Sequence, residues 1–272
     1  MIRGEKDKLT LAKDGTSTDN NRLMQELSNE RKGNHEGSAD LIRNKLAAVR
    51  SKNSGDKMGI RKLCKYQLWK SIFDRLFGLL ATIALSPLLI LICILIRLDS
   101  PGNPVFRQER IGKDGRSFFI YKFRTMHIEH DDSLYKEFIQ SYVSGEMNGE
   151  MRKKKELLKR GRDPRVTRFG ALLRKTNLDE LPQFFNVLKG NMSLVGPRPD
   201  IPFAVAMYKD HHWERFRITP GITGLWQVNR RKKISFEEMI RLDTEYIKKQ
   251  SLLLDIKILL LTVRTILNGE GS

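Results

Sequence analysis

The sequence predicts an α+β, mostly helical fold: one long apolar helical segment, then a small domain with a β-hairpin and amphipathic helices. Three observations predict it. Leu76–Ile96 runs for 21 residues without a charge. Two strand-like runs, 105–111 and 117–124, flank Asp114-Gly115, a hairpin turn signal. Residues 236–249 and 251–267 carry apolar positions at helical spacing.

The elements follow in chain order. None of the 13 Phe, 6 Tyr and 3 Trp precedes Tyr66. A segment so poor in burial-worthy surface cannot offset its ordering entropy, so 1–65 is expected to be a disordered polar tail. No apolar stretch follows Met1-Ile2-Arg3, so no signal peptide is expected. Residues 66–100 are expected to form a membrane-inserted segment and 101–272 a separate domain, with a polar, solvated helical insertion at 128–162. Cys64 and Cys93 support neither a disulfide framework nor a metal site.

As a straight helix the apolar run would be about 31 Å long, roughly one hydrocarbon thickness. Ser86-Pro87 interrupts it at the midpoint, where proline removes a backbone hydrogen bond. Basic residues flank both ends: Arg61, Lys62, Lys65, Lys70 and Arg75 before; Arg97, Arg107, Arg110, Lys113 and Arg116 after. Positive charge marks the cytoplasmic side of a membrane segment. A spanning helix and a re-entrant one both fit these residues. The helix 251–267 carries Asp255, Lys257 and Arg264, too many charges to span. It suits a core helix or one lying in the membrane interface.

The formal net charge is +18. That permits nucleic acid, an anionic membrane surface or a phosphorylated substrate as partner. Residues 1–67 hold 15 basic and 9 acidic side chains, so most of the excess lies in the part that carries the motifs.

Four constellations could carry chemistry, and each also has an ordinary structural reading. Asp179-Glu180 precede a helix expected to run to Lys189, with Pro182 in its first turn and Gly190 as its stop. Asp179 then reads as a helix cap, or as a nucleophile whose pKa the helix dipole lowers, with Glu180 as a Mg²⁺ ligand. Lys122 and Arg124 alternate with Tyr121 and Phe123, which gives an exposed basic strand or a two-cation phosphate face. In Gly196-Pro197-Arg198-Pro199 two prolines stiffen the backbone around one arginine, as a surface turn or an anion clamp. In 219–231, Trp226 and Gln227 follow a Gly-rich turn that could recognise a nucleotide or sugar. His211-His212 reads as a surface pair. No Walker loop, G-x-G-x-x-G or G-x-S-x-G is present, so a P-loop kinase, a dinucleotide-dependent oxidoreductase and an α/β-hydrolase lack support.

Taken in order, the motifs resemble those of the bacterial sugar transferases, the monotopic phosphoglycosyl transferases. The likeness covers about residues 70–272. It includes Asp74-Arg75, Ser86-Pro87, Pro104-Val105-Phe106-x-Gln108-x-Arg110-x-Gly112, Tyr121–Met126 and Asp163–Arg168. It continues through Leu178–Gln183, Phe185–Gly190, Ser193–Pro199, Pro220–Gly224 and Trp226-Gln227-Val228. Thr219 stands where such enzymes usually have Arg or Lys, and Arg230 where they usually have Gly.

The resemblance implies a re-entrant helix broken at Ser86-Pro87 and a catalytic domain with interfacial amphipathic helices on the cytoplasmic face of the inner membrane. It implies transfer of a sugar-1-phosphate from a UDP-sugar to undecaprenyl (polyprenyl) phosphate, at the start of exopolysaccharide, capsule, O-antigen or glycan assembly. Asp179 would be the nucleophile, forming a phosphosugar-aspartate and releasing UMP, with Glu180 binding Mg²⁺. Lys122, Arg124, Arg174 and Arg198 would bind phosphate. Trp226, Gln227, Arg231 and Asp243 would recognise donor and sugar. Nucleic acid drops out as a partner, and homo-oligomerisation stays open. The competing reading is a non-catalytic basic membrane adaptor in a polysaccharide assembly complex.

Overall fold

The computed structural model describes residues 57–127, 133–145, 163–229 and 234–268, with side chains from Tyr66 onward. The tail expected at 1–65 lies outside the described residues up to Lys57, where the first helix begins.

Helix α1 spans Lys57–Asp99 and runs through Ser86-Pro87, where a break is expected, with Pro87 inside it. Proline at 87 cannot donate to the Ile83 carbonyl, which would be its partner one turn back. The Ser86 hydroxyl donates to that carbonyl instead, at 2.8 Å. The Ser-Pro pair therefore supplies its own replacement bond, which matters most where water is absent. From Tyr66 to Asp99 the helix is long and apolar enough to cross a membrane, and most of that surface is bare of protein.

Strands β1 (Val105–Ile111) and β2 (Ser117–Phe123) pair antiparallel, with Phe106 opposite Lys122 and Arg110 opposite Phe118. Their connection puts Asp114 at φ 58° and Gly115 at φ 69°, a left-handed pair that Asp-Gly adopts at low cost. Helix α2 (Ser133–Ser144) is the described part of the 128–162 insertion. It is not wholly solvated: Val143 is buried, and Tyr142 meets the Phe236 ring edge-on at 5.7 Å.

Helix α3 (Arg168–Thr176) is capped by Thr167, whose hydroxyl accepts from Gly170 N at 2.9 Å. It ends at Asn177, which turns left-handed at φ 58°. A 3-10 turn, Leu178–Glu180, and helix α4 (Gln183–Leu188) follow. Strands β3 (Ser193–Val195) and β4 (Gly221–Thr223) pair in parallel. Between them lie α5 (Pro202–Ala206) and a 3-10 segment, Asp210–Arg217. Helices α6 (Leu225–Val228), α7 (Phe236–Lys249) and α8 (Leu252–Leu267) complete the chain, with Ser235 and Ser251 capping the last two.

The main core gathers Phe118, Ile120, Val187, Val195, Ile218, Tyr246 and Ile258. A second cluster joins Ile92 and Ile96 of α1 to Phe123 and Leu173. The first part of the apolar run also docks: a Cβ at Gly78 would lie 3.2 Å from the Val187 side chain and 3.5 Å from the α4 backbone. A buried polar network fixes this end. Lys70 pairs with Asp255 and Asp74, Asp255 accepts from the Tyr66 and Tyr246 hydroxyls, and Asp74 accepts from Ser193. Both flanks of the apolar run thus rest on the same domain. Helix α8 turns Ile258 and Asp255 inward and leaves Leu253, Leu260 and Leu267 exposed, so it serves the core on one face and is apolar on the other.

At the start of α3, a Cβ on Gly170 would sit 2.2 Å from the Thr125 carbonyl oxygen. Backbone cannot yield as a side chain does. Gly170→Ala should cost about 2 kcal/mol or more and lower Tm by about 5 °C or more in scanning fluorimetry. An unchanged Tm would contradict the packing described.

Candidate functional site

The site is assembled at the end of β2. The Asn186 side chain of α4 docks on the edge of that strand: its Oδ1 accepts from Tyr121 N at 3.0 Å and its Nδ2 donates to Phe119 O at 2.7 Å. This side chain imitates a neighbouring strand and sets α4, and the turn before it, against Lys122. Lys122 Nζ then donates to Glu180 Oε1 at 2.7 Å. Arg198 reaches the same oxygen through Nη2, and its Nη1 contacts Oε2 at 3.4 Å.

Asp179 and Glu180 are adjacent in sequence, but their environments differ. Burial alone would raise the Glu180 carboxyl, yet the Arg198 and Lys122 charges outweigh it and hold that group well below the usual carboxylate range. Asp179 is 9% exposed, and no hydrogen bond to its carboxylate is made among the described residues. Burial pushes its carboxyl above the ordinary value, against the pull of Lys122, Arg174 and Arg198. The expectation of a helix-cap aspartate with a lowered pKa is corrected. The residue at the α4 N-cap is Pro182, and Asp179 lies in the preceding 3-10 turn. Helix α4 also stops at Leu188, with Gly190 at φ 76° against the Arg75 guanidinium.

Lys122, Arg174, Asp179, Glu180 and Arg198 therefore share one site. Arg174 is steadied by a 2.9 Å bond from Nε to the Thr125 hydroxyl. Arg124 turns elsewhere. Strand β2 ends at Phe123, and the Arg124 guanidinium donates to the Ser100 and Pro101 carbonyls at 2.6 and 2.7 Å, closing the α1–β1 turn. Trp226 and Gln227 lie on α6, which packs against α7 and α8; Gln227 Nε2 donates weakly to Ile222 O at 3.4 Å. Arg231 lies outside the described residues, as does Arg230. Asp243 is 1% exposed and faces Arg215 at 2.7 Å. That contact is short but off the hydrogen-bond axis, hence an ion pair more than a directed bond.

Two arginines join the site that the sequence left unassigned. Arg110 donates to Gln108 Oε1 and to Pro199 O, and its field is felt beside Arg198 and Glu180. Arg215 donates to Arg198 O. Tyr135 of α2 lies near both Arg110 and Arg174, so the insertion borders the site. The alternation of Phe106, Gln108 and Arg110 on β1 is the signal that could have found Arg110; no local pattern marks Arg215 or Tyr135.

Of the histidine pair, His211 is exposed and His212 is fully buried, which corrects the surface-pair expectation. Lys209 N donates to His212 Nδ1 at 3.1 Å, so the neutral ring carries its proton on Nε2, toward Glu237. That tautomer leaves no free nitrogen lone pair for a metal.

A hard divalent cation is better suited to the acidic pair. Among the described residues, Glu180 Oε2 meets only the 3.4 Å contact from Arg198. The Asp179 and Glu180 carboxylates are the oxygens that could hold such a cation, with Lys122, Arg174 and Arg198 beside them.

The opposite electrostatics of the two carboxylates are measurable. The Glu180 ion pairs stabilise the fold above the ordinary carboxylate pKa, and that contribution is lost as pH falls toward the depressed native value. Ionised Asp179 opposes folding at neutral pH, because its native pKa is raised. At pH 7, Asp179→Asn should raise stability by about 1 kcal/mol and Glu180→Gln should lower it by about 2 kcal/mol. Shifts of the same sign in thermal melts would contradict this division.

The family model for bacterial sugar transferases matches residues 65–269. Similar curated proteins include the galactosyl transferase CpsE of Streptococcus agalactiae, 43% identical over 178 residues, or 65% of this chain and 37% of that protein. The exopolysaccharide production protein ExoY of Sinorhizobium fredii is 39% identical, covering 75% of this chain and 87% of ExoY. The UDP-glucose:undecaprenyl-phosphate glucose-1-phosphate transferase of Escherichia coli is 37% identical, covering 72% of this chain and 40% of its own length. The chain thus spans well under half of CpsE and of the Escherichia coli enzyme, and most of ExoY. The match over residues 65–269, which contain every element of the acidic pair and its cations, establishes that the chain belongs to the bacterial sugar transferase family.

Proposed function

We propose that this chain transfers a sugar-1-phosphate from a UDP-sugar to polyprenyl phosphate through Asp179. The observation that carries the reading is the contrast within the acidic pair. Glu180 is locked by two cations, whereas Asp179 is desolvated, free of hydrogen bonds among the described residues, and faced by Lys122, Arg174 and Arg198. A carboxylate already stripped of water can attack phosphorus without first losing a hydration shell, and the cations offset charge on the transferring phosphoryl group.

In the first step an Asp179 carboxylate oxygen attacks the sugar-bearing phosphorus. The bond from that phosphorus to the bridging oxygen breaks, and UMP leaves with the electron pair. In the second step a phosphate oxygen of the polyprenyl acceptor attacks the same phosphorus, and the Asp179 carboxylate departs. A bound Mg²⁺ would neutralise diphosphate oxygens, and Glu180 Oε2 is the oxygen available to it. Lys122 and Arg198 hold Glu180 in place and meet the donor phosphates, while Arg174 faces Asp179. The relatives named for undecaprenyl-phosphate transfer support the donor and acceptor classes for this chain.

The docking of α1 bears on the proposed membrane arrangement. Ser193 binds Asp74 before the apolar run, and Phe123 and Leu173 pack on Ile92 and Ile96 near its end. Contact of both flanks with one domain supports a segment that enters and leaves the inner membrane on its cytoplasmic face. The exposed face of α8 then suits the interface, where its leucines can enter the headgroup boundary.

Protein extracted with its lipid and supplied with Mg²⁺, polyprenyl phosphate and a panel of UDP-sugars should release UMP with one or a few donors. Asp179→Asn should reduce release by at least 10³-fold, and chelation by EDTA should abolish it until Mg²⁺ is restored. Full turnover by the Asn variant would overturn the mechanism. Membrane binding without UMP release from any donor would favour a non-catalytic adaptor.

A further inference from the structure

The loop from Gly196 to Asp200 carries Arg198 to the site, and each carbonyl from 197 to 200 is tied down. Pro197 O accepts from Gly221 N and Asp200 O from Ile111 N, both at 2.9 Å. Arg198 O accepts from Arg215 Nη2 at 2.8 Å and Pro199 O from Arg110 Nη1 at 3.3 Å. Two of these four donors are guanidinium groups brought in from other segments.

The bond to Arg198 O has a particular consequence. Pro197 and Pro199 fix their own φ angles, and Pro199 restricts Arg198 to extended conformations. The rotations left open are ψ at Pro197 and φ at Arg198, which swing the Arg198 carbonyl and its Cα–Cβ bond together relative to the site. Arg215 holds that carbonyl. Arg215 is 2% exposed and is itself held through both terminal nitrogens: Nη1 donates to Asp200 Oδ2 at 2.9 Å and to the Tyr208 hydroxyl at 2.6 Å, and Nη2 also faces Asp243 at 2.7 Å. A buried arginine between two carboxylates is weak support for stability, since apolar residues of similar volume often serve as well. Its location behind Arg198 gives it a different use.

We infer that Arg215 is a positioning residue, which fixes the Arg198 backbone so that the Arg198 guanidinium meets Glu180 and the donor phosphates. Asp243 acts through Arg215 as its buried counter-ion. This rests on the sugar-phosphate transfer reading above, in which Arg198 acts on the phosphates.

The test is a double-mutant cycle on UMP release with Arg215→Lys and Arg198→Ala. Lysine keeps the charge but cannot span the acceptors that a guanidinium reaches. In the otherwise wild-type enzyme, Arg215→Lys should lower kcat/KM about 20-fold. In the Arg198→Ala background, itself slowed about 100-fold, the same change should cost less than twofold. A purely structural role would cost the same in both backgrounds, and that result would overturn the proposal. Thermal melts accompany each variant. Should Arg215→Lys fail to fold, Asp243→Asn, which preserves volume, takes its place in the cycle with the same two outcomes. A wild-type enzyme that releases no UMP would overturn the transfer reading and this one together. An active wild type with additive losses would overturn the positioning role alone.

Discussion

One carboxylate oxygen of Glu180 accepts from both Lys122 and Arg198, which stand 58 and 18 residues away in the chain. Two adjacent carboxylates cannot both be buried as anions without compensating charge, because each raises the cost of the other. The grip on Glu180 meets that constraint and decides the roles of the pair. Glu180 is kept ionised and immobile, and Asp179 is left without a hydrogen-bond partner among the described residues. Much of the domain serves to bring three segments to this point. The Asn186 side chain registers α4 on β2, the αL turn at Asn177 redirects the chain between α3 and the acidic pair, and the tied-down 196–200 loop delivers Arg198.

The apolar helix is bound to the same construction. Its N-terminal flank is held by buried charge, through Lys70, Asp74 and Asp255, and its C-terminal flank by packing of Ile92 and Ile96. Arg124, which sequence alternation paired with Lys122, instead closes the turn from α1 into β1. One arginine thus fastens the membrane segment while its neighbour two residues back holds the site. In the membrane arrangement proposed above, that would couple the depth of the domain at the membrane surface to the position of its reactive groups. Such coupling suits an enzyme that takes one substrate from water and the other from lipid.

Features set by local chemistry were legible in the sequence. Alternation and Asp-Gly placed the hairpin, composition placed the apolar run, and helical spacing placed α7 and α8. The adjacent acids and the Arg between two prolines also stood out, and both belong to the site. What the sequence concealed depends on long-range packing. Periodicity suggested that Asp179 caps α4, but a 3-10 turn intervenes, so burial rather than the helix dipole governs its pKa. The alternation rule failed at Arg124 because the strand ends one residue earlier. Arg215 and Asp243 meet only in the folded chain, and neither residue's surroundings in sequence hint at the other.

The central claim is that Asp179 carries the phosphosugar between the two substrates. It is tested most directly by incubating the protein with its UDP-sugar and Mg²⁺ in the absence of polyprenyl phosphate, quenching in mild base-free conditions, and mapping the mass of the peptide that contains Asp179. The account predicts one added sugar phosphate on that residue, formed with stoichiometric UMP and lost when the acceptor is supplied. An unmodified Asp179 in protein that turns over with both substrates, or an adduct on another residue, would contradict it.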